Sequence, residues 1–297
     1  MKIKILGLIL FLVITGQFAT AAVADDRLRI YTVNYPLQYF AQRIAGEHAE
    51  VVFPASPAID PAFWTPDVDT VGAYQDADLI LLNGANYAKW INKVSLPRRR
   101  LVNTSTGFAE NYIDAGSGAE HSHGSGAAHA HAGVAFTTWL DLRQAVRQAD
   151  AIRLAIIKKR PQLKAAVDKN FAMLESDLLA LDAELESIVS GNQNQALLAS
   201  HPVYQYLSRR YDVNLHSVVW EPDEYPDQSQ WKTLENLAQT HDVKWMLWEG
   251  EPATESVENL KQMGIGSIVF DPCANAPAQG DFLSVMKNNL AALKRVF

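Results

Sequence analysis

A single cysteine, Cys273, stands among 297 residues. That excludes an intramolecular disulfide and every zinc site built from paired cysteines. Stability must therefore come from burial, and 48% hydrophobic residues over this length suffice for one large core or two moderate lobes. Beyond the first residues, no apolar run approaches the length of a membrane-spanning helix, about 18 residues. Positive charge is also scarce: 26 Lys and Arg face 33 Asp and Glu, a formal net charge of −7. Without a basic patch the chain offers no footprint for nucleic acid or anionic lipid, whereas an acidic surface suits small cations. His-Glu-x-x-His, Gly-x-Ser-x-Gly and Gly-x-x-x-x-Gly-Lys are all missing, and with them the usual signatures of zinc peptidases, serine hydrolases and P-loop enzymes.

What the chain does have begins with a leader pattern. Lys2 and Lys4 precede an apolar stretch over 5–14, broken only by Gly7, and Ala22-Val23-Ala24 ahead of Asp25 reads as a small-residue cleavage site. Residues 1–24 are expected to be a signal peptide, and the mature protein to be soluble and periplasmic. Loss of Lys2 and Lys4 moves the net charge from −7 to about −9.

Four of the eight histidines, His121, His123, His129 and His131, fall within residues 120–131. A tract so rich in imidazole, Gly and Ala cannot pack a core, but at neutral pH it offers ligands to a borderline metal such as zinc. Around it, strand-like runs alternate with helical stretches, which favours a parallel α/β architecture. Strands are expected over 29–33, 51–55, 79–83 and 100–103 in the first half, and over 196–200, 213–219, 244–248 and 267–270 in the second. A helix is expected over 138–159, with Trp139, Leu142, Val146, Ala149, Ile152 and Ile156 on its apolar face. The clearest helix follows it: Pro161 suits a first turn, and Leu163, Val167, Phe171, Leu174, Leu178, Leu181, Leu185 and Ile188 recur at intervals of four or three before Gly191. The spacing predicts a helix long enough to run along two lobes. The expected organisation is an N-terminal α/β lobe over 25–160 carrying the His-rich loop 120–131, a linking helix over 161–190, and a C-terminal α/β lobe over 191–297. Each lobe is expected to be a mainly parallel sheet flanked by helices.

Several short segments together resemble the periplasmic receptors for zinc and manganese that feed ATP-driven (ABC-type) importers, the zinc receptors in particular. They are Thr32-Val33-Asn34-Tyr35-Pro36-Leu37; Ile59-Asp60-Pro61 followed by Trp64 and Pro66; Ala77-Asp78-Leu79-Ile80 leading to Asn83-Gly84; and Trp139-Leu140-Asp141. Further on, His201 precedes Tyr204, Tyr206 and Tyr211, and Phe270-Asp271-Pro272 leads into Gly280-Asp281-Phe282 and Met286. A His-rich loop ahead of the Trp-Leu-Asp segment is itself a habit of the zinc receptors. The resemblance covers nearly the whole mature chain.

It implies two α/β lobes joined by a rigid helix, with one metal in the cleft held by histidines and carboxylates. His201 matches the family's third ligand and Asp271 its carboxylate. The first histidine position is Ala62 and the second is Thr137, and neither side chain can replace an imidazole on zinc. Three readings stay open. His201 and Asp271 can hold the metal with His129 or His131 folding down to complete the site; the cleft, walled by Ala62, Phe63, Trp64, Phe136, Thr137 and Trp139, can have given up metal for another solute; or the tract with His121, His123, His129 and His131 can act alone as a zinc buffer.

Glu249 and Glu251, two apart at the end of the Trp-rich strand, would share a face if that strand continued. Glu249 is placed on the cleft wall. His48, His216 and His241 stand isolated in sequence, and Asn103-Thr104-Ser105 is a chance sequon in a bacterial chain. The expected activity is capture without catalysis: a monomer takes Zn2+ ahead of Mn2+ and delivers it to the membrane permease of an ABC importer. A metal-dependent hydrolase is the remaining alternative.

Overall fold

The computed structural model describes residues 26–116, 120–122, 128–130, 133–192 and 194–297. Two four-stranded parallel sheets form its frame. The first contains β1 (Leu28–Thr32), β2 (Ala49–Val52), β3 (Leu79–Leu82) and β4 (Leu101–Asn103), in the order β2-β1-β3-β4. Its helices are α1 (Tyr35–Ala45) and α2 (Val68–Asp76). Unbroken apolar runs such as Leu79-Ile80-Leu81-Leu82 fit strands covered on both faces. Between the sheets come the short strands β5 (Asp114–Gly116), β6 (Glu120–Ser122), β7 (Ala128–Ala130) and β8 (Gly133–Val134), then α3 (Leu142–Lys159) and α4 (Lys164–Val189). The second sheet contains β9 (Leu197–Ala199), β10 (Leu215–Ser217), β11 (Trp245–Trp248) and β12 (Gly266–Val269). Its order β10-β9-β11-β12 repeats the topology of the first. The helices α5 (Gln205–Tyr211), α6 (Gln228–His241), α7 (Thr254–Gln262) and α8 (Phe282–Leu293) complete it. No described helix is long and apolar enough to cross a membrane.

The expected elements are present with shifted ends. The helix expected over 138–159 is divided: Thr138–Leu140 is a 3-10 turn, and Asp141 caps α3 by accepting the N–H groups of Arg143 at 3.1 Å and Gln144 at 3.2 Å. A capping carboxylate takes the orphan donors of a new helix, so continuous helix across Asp141 is not needed to satisfy them. Residues 120–131, expected as a loop, are in part a hairpin. β6 pairs antiparallel with β7, and His121 stands opposite His129 in the register. His123 and His131 lie outside the described residues. His216 and His241, isolated in sequence, stack with ring centroids 3.7 Å apart.

α4 spans 26 residues, about 39 Å at the helical rise. It packs on α1 and α3 of the first half and on α5 and α8 of the second. Its buried face carries Val167, Leu174, Leu178, Leu181, Leu185 and Val189, which join one hydrophobic cluster running through both halves. Set into that apolar stripe is Asp182, 3% exposed. Arg210 of α5 donates to it from Nε at 3.0 Å and from Nη2 at 2.8 Å, Tyr211 donates its hydroxyl at 2.9 Å, and Arg143 of α3 donates Nε at 3.0 Å. Burial alone would raise the Asp182 pKa, but the bonds from Arg210, Arg143 and Tyr211 outweigh it and hold the carboxylate below its ordinary value. One side chain of the linking helix thus grips an element from each half.

The first sheet closes its carboxyl edge with a buried amide network. Asn83 Oδ1 accepts from Asn34 Nδ2 at 3.3 Å and from Gln148 Nε2 at 3.1 Å, while Asn83 Nδ2 donates to the Phe136 carbonyl at 2.8 Å. This fixes the segment that carries Thr137 against the strand ends.

Removing the Asp182 carboxylate takes from Arg210 its nearest partner, leaving it Glu186 at 3.6 Å, and from the buried Tyr211 hydroxyl its acceptor. Asp182→Ala is expected to destabilise the protein by about 3 kcal/mol, and Asp182→Asn by less, read from denaturant midpoints at neutral pH.

Candidate metal centre

The second sheet delivers a side chain to one place from the carboxyl end of each of its four strands, where open α/β sheets bind ligands. His201 follows β9 by two residues, Glu249 follows β11 directly, and Asp271 follows β12 by two. Glu221 arrives from β10 because the chain beyond that strand stays beside β9. The Val218 N–H donates to the Ala199 carbonyl at 2.9 Å and the Trp220 N–H to the Ser200 carbonyl at 2.8 Å. On the β11 side, Ser200 N–H donates to the Leu247 carbonyl at 2.8 Å, which holds the His201 and Glu249 turns together. Tyr204, which follows His201 by three residues, and Trp220 and Trp248, which precede Glu221 and Glu249, are all buried.

His201 is 2% exposed, and its Nδ1 lies 3.5 Å from Glu249 Oε1 and 3.7 Å from Glu221 Oε1. One ligand atom from each of these three residues lies within 4.8 Å of the others. Ligand atoms about 2.1 Å from a tetrahedral ion stand about 3.4 Å from one another, so the spacing fits a shared metal. Asp271, nominated as a ligand from the sequence, is not in this group, although its charge acts on Glu249. Its Oδ1 accepts the Cys273 N–H at 2.6 Å, and its backbone is clamped by Asn289, with Asp271 N–H donating to Oδ1 at 3.0 Å and Nδ2 donating to the Asp271 carbonyl at 2.7 Å. Burial raises the Asp271 pKa against the Cys273 hydrogen bond. Cys273 is not in the group either, and burial, then the Asp271 charge, pushes its thiol far up.

Electrostatics favour a bound cation. Glu249 is held well above the ordinary carboxylate range, first by burial and then by the negative charges of Asp60, Glu221 and Asp271. The same crowding, behind burial, raises the Tyr204 phenol through Glu249 and Asp271. Gathering these carboxylates around one imidazole costs free energy unless protons or a metal offset the repulsion.

The opposite lobe presents little that can bind. Ala62 is buried at 2% exposure, and Thr137, at 3%, spends its hydroxyl on the Val203 carbonyl. Phe63 and Phe136 meet edge to face at 6.5 Å, and Trp64 packs on Trp90 at 6.0 Å. The mouth beside Thr137 is a small cavity lined by Asn86, Lys89, Phe136, Pro202 and Gln205. His129 lies in β7, paired with β6.

Glu221 and Asp60 were not among the residues the sequence nominates, and Glu249 was placed only as cleft wall. One signal was present for Glu221: it follows an expected strand end, as His201 and Asp271 do.

The model of the family described as zinc-uptake complex component A, periplasmic, matches residues 30–296. The chain is 25% identical over 296 residues to the high-affinity zinc uptake system protein ZnuA of Bacillus subtilis, a match that covers 94% of this chain and 91% of that protein. It is 24% identical over 282 residues to the zinc-binding lipoprotein AdcA of Streptococcus pneumoniae, covering 92% of this chain and 56% of AdcA. The chain therefore spans little more than half the length of that relative. Among solved structures, the metal-dependent lipoprotein YcdH of B. subtilis matches with a TM-score of 0.78 at 21% identity, over 91% of this chain and 98% of that one. The Zn(II)-bound ZnuA-like domain of S. pneumoniae AdcA matches with a TM-score of 0.78 at 20% identity, over 91% and 98%. At these identities the structural likeness concerns the fold.

The raised Glu249 carboxyl fixes the sign of a pH effect. The folded state holds this proton more tightly than the unfolded chain, so stability is greatest below the ordinary Glu value of about 4.3 and falls as pH rises through the raised one. In metal-free protein, Glu249→Gln is expected to be more stable than the parent by a margin that widens from pH 5 to pH 8 in urea unfolding. Excess zinc is expected to remove that advantage. A margin independent of pH would contradict the raised carboxyl.

Proposed function

Because the chain belongs to the family of periplasmic zinc-uptake components, whose model spans residues 30–296, we propose that it is a periplasmic solute-binding receptor that captures a divalent transition metal and hands it to an ABC-type permease. It binds and releases its cargo without turning it over. The observation that carries this reading is the buried His201, its Nδ1 set 3.5 and 3.7 Å from two carboxylates. His201, Glu221 and Glu249 are the proposed ligands, with Asp271 beside them. Zinc is the first candidate, since imidazole suits it and the relatives carry zinc in their names. Manganese is a second, favoured by a specific feature: carboxylates outnumber imidazoles here, and hard oxygen donors suit Mn2+. His121, His123, His129 and His131 would collect metal ahead of the cleft, which holds it without a ligand from them. The lobes are taken as 25–160 and 191–297, joined by the helix over 161–190, and the receptor as a monomer secreted after removal of residues 1–24.

Binding must displace protons from His201 and from Glu249, whose pKa burial and neighbouring carboxylates raise. Affinity is thus expected to weaken with acidification, steeply below about pH 6. Zinc titration by calorimetry, with Mn2+ as competitor, tests the reading on the mature chain, on a variant lacking residues 120–131 and on His201→Ala. Tight binding that survives the deletion but drops more than about 100-fold in His201→Ala is the expected result. Tight binding lost with the deletion and kept in His201→Ala would overturn the cleft site.

A further inference from the structure

We propose that the end of the first sheet at which its strands begin is a docking surface for an anionic phospholipid membrane. The inference does not depend on what the cleft holds. Judged by its total charge the chain offers no footprint for anionic lipid, but charge is not spread evenly along it. From residue 79 to residue 109 there is no Asp or Glu, while Lys89, Lys93, Arg98, Arg99 and Arg100 all fall there. The fold then decides which of these meet other bases, and a net charge conceals the result.

Parallel strands all start at one end of a sheet, and a helix that runs back along them finishes at that same end. Arg98, Arg99 and Arg100 come directly before β4, Ala77 and Asp78 directly before β3, and Lys158 and Lys159 close α3. Polar contacts join the three segments. Arg100 Nη1 donates to the Ala77 carbonyl at 2.8 Å and also to the Gln75 carbonyl, and Lys159 Nζ lies 3.3 Å from Asp78 Oδ1. Carbonyls hold Arg100 in place and leave its charge uncompensated. Arg98, Arg99 and Lys158 are exposed, and none of them takes part in an ion pair among the described residues. Against them stand Asp76 and Asp78, the second already matched by Lys159. Asp168 near the start of α4 is matched by Lys164 and Arg153, and Glu47 and Glu50 lie beside β2 at the opposite edge of the sheet.

Two observations select a lipid surface. The first is where the chain enters the fold: Asp26 pairs at 3.4 Å with Arg160, the residue after Lys159, so the entry point is at this end. The apolar run over 5–14 lies upstream of Asp26. While that run is held in a bilayer, this end is the part of the folded domain next to the headgroups. The second is the make-up of the patch. Arg98, Arg99, Arg100, Lys158 and Lys159 fall within the number, about four to eight, that draws a protein onto an anionic bilayer. The carboxyl ends of the same strands, with Asn83 and the Phe136-Thr137 segment, lie at the other end of the sheet, so a bilayer here leaves the cleft open. Docking of this kind keeps a receptor on the surface in which its permease is embedded, and it stays reversible because it is screened by salt.

The test is sedimentation of the mature chain with vesicles, made either of equal parts phosphatidylglycerol and phosphatidylcholine or of phosphatidylcholine alone. The parent is expected to bind the anionic vesicles at least about 10-fold more tightly than the neutral ones at about 50 mM salt, and to lose that advantage at about 500 mM. Arg98→Glu with Arg99→Glu is expected to weaken binding at least about 10-fold, and Lys158→Glu alone about 3- to 10-fold, with melting temperature and zinc affinity unchanged. Lys232→Glu with Lys261→Glu, on α6 and α7 of the other half, makes the same change in net charge and is expected to cost less than about twofold. Equal binding to both kinds of vesicle, or binding to neither, overturns the proposal and leaves the patch to an acidic protein face. A control pair that costs as much as Arg98 and Arg99 overturns it too, because net charge and not the patch is then at work. Zinc binding, or its failure, leaves the outcome of this test unaffected.

Discussion

Like charge held close is the constraint around which this molecule is organised. His201, Glu221 and Glu249 come together because the parallel strands β9, β10 and β11 end side by side, and Asp271 leaves the end of the neighbouring β12. Carboxylates so placed repel one another, and burial strengthens the repulsion felt by Glu249. A proton on Glu249 relieves part of it, and a divalent ion would relieve more.

The rest of the fold keeps that arrangement steady. Asp182 fastens α3 and α5 to the linking helix, so both halves are referenced to the same rod. The amide network around Asn83 holds the Phe136-Thr137 segment, and Trp139 and Tyr35 tie the first half to the loop after Asp271.

Much of the frame was legible in the sequence. The long helix announced itself by apolar residues at intervals of four and three, and the paired sheets by short apolar runs ending at Asn, Ser or Asp. His201 and Asp271 could be located because each sits in a recognisable local segment. Glu221 followed an expected strand end too, but it becomes a neighbour of His201 only through the pairing of β10 with β9, a long-range event that its local segment does not reveal. Glu249 was placed on the cleft wall, but its approach to His201 at 3.5 Å follows from the pairing of β11 with β9. The tract 120–131 was read by composition, yet His121, His123, His129 and His131 alternate with other residues on either side of a Gly-Ser-Gly centre, a hairpin pattern that composition hides.

The central claim is that the metal sits among the strand ends of the second sheet, and not in the histidine tract. Diffraction data collected at the zinc absorption edge, from crystals of the mature protein grown with one equivalent of zinc, test it most directly. The account predicts one dominant anomalous peak about 2.0–2.3 Å from His201 Nδ1 and from carboxylate oxygens of Glu221 and Glu249. A peak confined to residues 120–131, with the His201 centre lacking anomalous density, would contradict it.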